Sequence, residues 1–457
     1  MVRLSASLLT AIGLIADRAL GALPELDIED EDSVKQVAAL VAEDLLSFYP
    51  IDTPGWVPGI LPGPPPDGDY YWWQGGAMWG TLLDYRFHTG DEQYDDMITT
   101  ALLHQTGPNR DYMPKNWSAS MGNDDQAFWG LSAMLAAETR FPDPPADEAQ
   151  WLALAQAVFN EQTSDERRVP DGRCEWGLRW QVYPSNNGYN YINTIANACY
   201  FNIGTRLSRY FDNTTYGELA DRTYQLIEDL GYISEQGDVY DGAHLPDCTD
   251  TNKAQFSYNA ALLIQGCAVM YNHTNGDATW KGRLDLLVNR TLEIFFRDGV
   301  AFEPSCEPGN CNTDMESFKG YLHRWLGSAI QMAPYLRDQV LPTLKTSAVA
   351  AVRQCTGGSN GRFCGFHWTT GEFDGKTGAG QQMNVLGALM SVMTHNNPVP
   401  VTNSSGGTSR GNFQAGSDQP TMLTFRELTG GDRAGAGILT AIMIAGACSA
   451  FAWMSID

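Results

Sequence analysis

Residues 123–138 read NDDQAFWGLSAMLAAE. After a polar start the segment is apolar on nearly every helical face, and its Gly and Ala residues allow close neighbours. A helix of that kind is buried on all sides. The next periodic window, 147–163, is apolar on one side, as a peripheral helix is. The same alternation runs through the chain. Apolar residues recur at three and four spacing over 31–49, 71–89, 92–105, 123–139, 147–163, 190–209, 215–231, 252–273, 277–297, 314–333, 337–356 and 379–395, twelve windows in all. Some carry start signals, such as Asp212-Asn213-Thr214-Thr215 and Asp314. Those beginning near 71, 123, 190, 252, 314 and 379 are rich in Gly, Ala and aromatic residues and poor in charge, whereas those between them are conventionally amphipathic. Six buried helices alternating with six surface helices predict an all-α fold, an (α/α)6 barrel of twelve helices. The repeat is architectural, since no sequence self-similarity accompanies it.

In such a ring the inner helices run the same way and their N-terminal ends meet at one mouth. Polar and aromatic residues gather where those ends are expected: Tyr70 to Gly76, Gly122 to Gly130, Leu178 to Gln181 with Asn186 to Tyr191, Tyr240 to His244 with Phe256 to Asn259, Phe318 to Tyr321, and Thr377 to Met383. Asp124 and Asp125 are the sharpest feature. Two neighbouring carboxylates resist ionising together, so one holds its proton longer. An acid beside a carboxylate is the pair that glycoside cleavage needs, and a helix N-terminus stabilises the ionised partner. Retaining enzymes hold their carboxyl groups about 5–5.5 Å apart, a separation that neighbours on one helix reach if both turn to the cleft. The competing reading is an ordinary helix cap.

The net charge of −25 argues against nucleic acid and anionic membrane surfaces as partners. Residues 1–22, with Arg3, an apolar run and a small-residue end, read as a signal peptide. The glycosidase domain is expected over 23–398, followed by a Gly/Ser/Thr-rich linker over 399–431. Residues 432–457 contain an apolar run from Gly437 to Met454 and read as a glycolipid (GPI) attachment tail, with a tail-anchoring helix as the alternative. The attachment residue falls in Ser404–Gly407, Gly416–Ser417 or Gly430–Gly431. With Cys448 in that tail, eight cysteines remain, an even number that suits four disulfides in the secretory pathway. Cys306 and Cys311 are expected to pair locally, as are Cys355 and Cys364. Cys174, Cys199, Cys248 and Cys267 then have three possible connectivities. Asn116, Asn213, Asn272, Asn289 and Asn403 head glycosylation sequons.

The stretches YYWWQGGAMWGTLLDYRFHTGD (70–91), NDDQAFWGLSAMLAAE (123–138), GLRWQ (177–181), NNGYNYINTIANACYFN (186–202), VYDGA (239–243), QFSYNAALLIQGCAVMYNHT (255–274), FKGYLHRWL (318–326) and TGAGQQMNVLGAL (377–389) span nearly all of residues 30–396. Together they resemble glycoside hydrolase family 76, the α-1,6-mannanases, and within it the fungal GPI-anchored Dfg5/Dcw1-type cell-wall group. The resemblance implies an (α/α)6 fold and a retaining mechanism, with Asp124 matching the nucleophile and Asp125 the general acid/base. It implies a mannan endo-1,6-α-mannosidase of fungal cell-wall biogenesis, held at the cell surface or wall by a GPI anchor. The alternatives are a GPI-glycan transglycosidase with wall glucan as acceptor, and an inactive carbohydrate-binding wall protein. Trp72, Trp73 and Trp129 are candidate stacking surfaces for sugar, with core packing the competing reading. Asn123, Asn190, Tyr191 and Asp241 are candidate partners for sugar hydroxyls. Gln74 stands where the family pattern places an acidic residue, and Lys319 reads as structural. No phosphate loop, metal motif or Ser-His-Asp arrangement stands out, so no metal and no cofactor are expected.

Overall fold

The computed structural model describes residues 21–51, 53–416 and 429–454. Among the described residues of the first unit, twelve α-helices follow in order: α1 Glu31–Leu46, α2 Trp72–Thr89, α3 Asp95–His104, α4 Asn123–Glu138, α5 Trp151–Thr163, α6 Thr194–Phe211, α7 Thr214–Asp229, α8 Ser257–His273, α9 Ala278–Ile294, α10 Phe318–Met332, α11 Arg337–Arg353 and α12 Ala379–Ser391. Each falls within or close to one of the twelve periodic windows. The even-numbered helices pack side by side, and α12 returns to α2 to close the ring. The odd-numbered helices pack outside them, α1 against α12 and α2. The fold is therefore the expected (α/α)6 barrel.

Amino-acid pattern decides which helix goes where. Every residue of α4 is buried except Asp124, Asp125 and Leu135. On α7 burial is confined to Tyr216, Gly217, Ala220, Thr223, Tyr224 and Ile227, a stripe at three and four spacing. The inner ring also carries charge, and it is paired. Arg206 on α6 meets Glu138 on α4 at 2.7 Å, and Arg324 on α10 reaches Asp84 on α2 at 2.5 Å. Lys319 is fully buried, donating to Glu307 at 2.8 Å and to the Phe366 carbonyl at 2.7 Å, which bears out its structural reading.

Three two-stranded ribbons complete the unit. The one that matters for the mouth pairs β1 (Tyr191–Asn193) with β2 (Gly242–His244), antiparallel, with Tyr191 opposite His244. The disulfides are three, not four. Cys306–Cys311 and Cys355–Cys364 pair locally as expected, and Cys174 pairs with Cys248, tying the loop before α6 to the loop before α8. Cys199 and Cys267 are free thiols, fully buried on α6 and α8, where a thiol packs as a small apolar group.

The expected domain end at 398 is too early. Residues 401–415 lie along the barrel wall as a strap. The Val401 N–H donates to the Glu138 carbonyl at 2.8 Å, and Asn403 to the Tyr210 carbonyl at 3.0 Å. Asn160 donates to the Ala415 carbonyl at 2.8 Å, and Phe413 packs on Phe211 at 4.8 Å. Backbone donors and acceptors used in this way do not belong to a free linker. The expected signal peptide lies outside the described residues except for Gly21 and Ala22, and so does residues 417–428 of the expected linker. In the second unit, α13 (Gly430–Met454) is a single helix with Ile438, Leu439, Ile442, Met443, Ile444 and Phe451 exposed. Among the described residues, no helix is long and apolar enough to cross a membrane.

Candidate active site

The start of α4 is held by a neighbouring strand of backbone. The Asn123 N–H donates to the Trp180 carbonyl at 2.7 Å, and the Trp180 N–H to the Tyr191 carbonyl at 2.8 Å. That stack places the Trp180 side chain over the first turn of α4, where its Nε1–H donates to Asp124 Oδ2 at 3.0 Å. Gly188, with φ +91°, lies flat against the Trp180 ring, where a Cβ would overlap the indole. Asp124 Oδ1 accepts the Asp125 N–H at 3.1 Å, and Asp125 Oδ2 accepts the Gly122 N–H at 2.7 Å. The cap reading of this pair is therefore right in part, since the carboxylates satisfy orphan donors of the helix start. Gly122 is required by closeness: a Cβ there would collide with Asp124 Oδ1 and stand 3.3 Å from Asp125 Oδ2. Proximity to one point keeps these two oxygens near or within the separation of about 5–5.5 Å used by retaining enzymes.

Both carboxyl groups open into a cleft of about 490 Å³. Tyr71 and Trp73 from the start of α2, Phe128 from α4, Phe256 and Tyr258 from the start of α8, and Asp314, Met315 and Phe318 from the entry to α10 line it, with Trp180 and Gln181 from the loop that leads to α6. The mouth is built from inner-helix starts, as the parallel ring requires. A cavity of about 40 Å³ at the opposite ends of these helices has room for little more than water. An open groove of about 910 Å³ beside α11 carries Glu29 and Asp338 among basic residues, with Glu29 paired to Lys345.

Burial dominates the electrostatics. It pushes Asp125 up to about 7 and Asp124 well above the ordinary carboxylate range, and the charge of Asp125 adds to the rise of Asp124. The proton that both resist losing belongs to the pair. Asp124 accepts from two donors, Trp180 Nε1–H and the Asp125 N–H, and Asp125 from the Gly122 N–H. Hydrogen bonds to the charged form oppose that rise on both residues. Asp314 is pushed up to about 6 by burial, opposed by a hydrogen bond from Trp73. Its charge in turn raises Asp125.

The nine expected site residues separate into those that face the cleft and those that build its wall. Asp124, Asp125 and Trp73 face it. Trp72 and Trp129 are core: their rings stack at 5.1 Å, Trp72 Nε1–H donates to Gln105 at 2.8 Å, and Trp129 is wholly buried. Asn123 is also wholly buried, donating to the Arg179 carbonyl at 2.8 Å and accepting from Arg167. Tyr191 donates to Asp241 at 2.7 Å, and Asn252 donates to the same carboxylate at 3.3 Å, so this pair spends its polar atoms within the wall behind Trp180. Asn190 is exposed and lies outside the cleft lining. Gln74 caps α2, its Oε1 accepting the Tyr71 N–H at 2.9 Å. Trp180, Tyr258 and Asp314 are among the cleft residues that pattern reading passed over. Trp180 and Tyr258 lay inside quoted motifs, whereas Asp314 showed itself only as a helix-start signal.

Known proteins resemble the chain over most of its length. Residues 33–404 match glycosyl hydrolase family 76. Mannan endo-1,6-α-mannosidase DCW1 of Candida glabrata is 42% identical, over 92% of this chain and 93% of its own. The crystal structure of Dfg5 from Chaetomium thermophilum in complex with glucosamine shares 51% identity with a TM-score of 0.83, covering 86% of this chain and 98% of that one. At 17% identity, a GH76A α-1,6-mannanase from Salegentibacter shares the fold with a TM-score of 0.61, covering 79% of this chain and 98% of that one.

Proposed function

The chain belongs to glycosyl hydrolase family 76, and from that premise we propose how its cleft works: it cleaves α-1,6-mannoside linkages within mannan and retains configuration at the anomeric carbon. It is a glycoside hydrolase, a mannan endo-1,6-α-mannosidase. One observation carries the mechanism. On a helix buried along almost all its length, two adjacent carboxyl groups turn into the cleft and are held by different donors, Trp180 on Asp124 and the Gly122 N–H on Asp125.

Asp124 is the nucleophile. Its ionised carboxylate attacks the anomeric carbon, and the bond from that carbon to the glycosidic oxygen breaks. The bonding pair leaves with the oxygen, which takes the proton of Asp125. Asp125, now a carboxylate, removes a proton from water as the water oxygen displaces Asp124 from the anomeric carbon. Burial keeps Asp125 protonated far above the range of a free carboxylate, which is what a general acid near neutral pH requires. The α4 N-terminus favours the charge left on either residue.

A second reading replaces water with a sugar hydroxyl, so that a GPI glycan donates and wall glucan accepts. The Chaetomium relative is solved in complex with glucosamine, which supports a glycan containing that sugar as a ligand. The reading places the protein at the cell surface or wall, delivered through the secretory pathway and held by a GPI anchor. Incubation with α-1,6-mannotriose, with and without a β-glucan oligosaccharide, tests both. Free mannose products support hydrolysis, and mannosylated glucan supports transfer. A mechanism-based mannoside inhibitor is expected to label the protein covalently and fail to label Asp124→Asn. Equal labelling of the variant removes Asp124 as nucleophile.

A further inference from the structure

The strap over 401–415 runs from one end of the barrel to the other. Inner helices start at the mouth and outer helices return to it. Gln162, near the end of α5, accordingly donates to the carbonyl of Asn123 at the start of α4, at 2.7 Å. The strap begins at the opposite end, the base. Val401 donates to the carbonyl of Glu138, the last residue of α4, and Asn403 to that of Tyr210, next to last in α6. It then climbs in step with α5. In the first turn of α5 the Leu152 N–H donates to Ser409 Oγ at 3.1 Å. Midway, the Asn412 N–H donates to Gln156 Oε1 at 2.6 Å, and near the end Asn160 donates to the Ala415 carbonyl at 2.8 Å. Gly416 then lies against Glu161, where a Cβ would stand 2.9 Å from Cγ. Glu161 accepts from Gln126, the neighbour of Asp125. From Leu152 to Glu161 the climb is about 14 Å at 1.5 Å per residue.

Two consequences follow for the candidate lipid-attachment residues. Attachment at Ser404–Gly407 removes Ser409, which satisfies an orphan N–H at the start of α5, together with the acceptors of Asn160 and the Phe413 ring on Phe211. The later candidates, Gly416–Ser417 and Gly430–Gly431, keep the strap whole. A chain attached there leaves the barrel at the mouth, the end that bears Asp124 and Asp125. A free chain of about fourteen residues, the separation of Gly416 from Gly430, spans about 20 Å on average. That is less than the length of the 16-residue α4, about 24 Å from mouth to base.

We propose that the strap makes the mouth the tethered end of the anchored protein, so that the cleft opens toward a lipid surface and the glycans attached to it. The inference rests on the proposed GPI anchor, whereas the path of the strap does not.

The test uses the processed protein from a fungal host, reconstituted in phosphatidylcholine vesicles. Release by a phosphatidylinositol-specific phospholipase reads the anchor. Mass spectrometry of the C-terminal peptide reads the attachment residue, expected beyond 416. Orientation is read by energy transfer to an acceptor lipid from a dye on Ser185→Cys, exposed at the mouth, or on Gln93→Cys, exposed at the base between α2 and α3. Cys199 and Cys267 are buried and leave the dye to the introduced thiol. The Ser185 dye is expected to lie nearer the lipid by about 10–20 Å, most of the length of an inner helix. Equal distances, or a nearer Gln93 dye, overturn the tether and leave the anchor standing. Attachment at Ser404–Gly407 overturns it in the same way. A chain that carries no lipid removes the anchor, and the tether with it.

Discussion

Replacing Trp180 by Phe removes the indole N–H that donates to Asp124 Oδ2 at 3.0 Å and keeps an aromatic ring in its place. A hydrogen bond to a charged group contributes about 1.5–3 kcal/mol. At about 1.4 kcal/mol per pKa unit, losing it raises the first ionisation of the Asp124/Asp125 pair by about one to two units. The direction follows from the charge: the N–H favours the carboxylate, so its loss favours the acid. The nucleophile must be ionised, so the ascending limb of kcat/KM against pH on α-1,6-mannotriose moves upward by that amount. Below the limb the variant is slower by about 10- to 100-fold at equal pH. The pH window of activity narrows, because the first ionisation of the pair approaches the second. Gly188 remains against the ring and Asp124 keeps the Asp125 N–H at 3.1 Å, so the fold is retained, which thermal unfolding checks. A limb that stays in place, or moves down, in a folded variant refutes the electrostatic role given to Trp180.

Arg206→Met leaves Glu138 buried without its cation and is expected to cost about 3–5 kcal/mol in chemical denaturation, with much of it recovered when Glu138→Leu is added. No recovery in the double variant removes the pair from the stability of the ring. Thiol titration of the chain ending at residue 416 is expected to find no reactive cysteine in the native state and two after denaturation without reductant, from Cys199 and Cys267. A fourth disulfide leaves none. Between pH 6.5 and 8, stability is expected to fall. Asp125 is raised to about 7 and Glu303 to about 8 by burial, so the folded protein binds more protons than the unfolded chain across that window. Buried His88 and His323, lowered to about 4, act in the opposite sense from there up through about pH 6.5, where the unfolded imidazoles titrate, and so offset only the lower edge of that window. Unfolding midpoints that rise from pH 6.5 to 8 contradict these shifts.

Helix count, order and layer were legible because each depends on local pattern. Residues 123–138 are apolar all round and residues 214–229 are one-sided, and that contrast alone assigns them to the inner and outer ring. Asp124 and Asp125 were legible because two acids at a buried helix start are costly and therefore conspicuous. Trp72 and Trp129 misled, since an aromatic near a helix start can face either the axis or its neighbour, and rotation of a helix by a fraction of a turn decides which. Asn123 and Tyr191 misled for a related reason: a polar atom near a mouth is free for ligand only if no other chain segment reaches it. The strap over 401–415 was hidden because Gly, Ser and Thr leave the same composition in a linker and in a segment bonded through its backbone.

The apolar periodicity of the sequence by itself determined a closed ring of twelve helices, and with it a common mouth bearing Asp124 and Asp125. The tertiary structure alone decided that Trp180 is the donor to Asp124, that Cys174 pairs with Cys248 while Cys199 and Cys267 stay free, and that Asp314 is the third acid in the cleft. These depend on which residues far apart in the chain come within a few ångströms, and on how each side chain is turned. Helical periodicity constrains the face of a helix but not the partner that meets it.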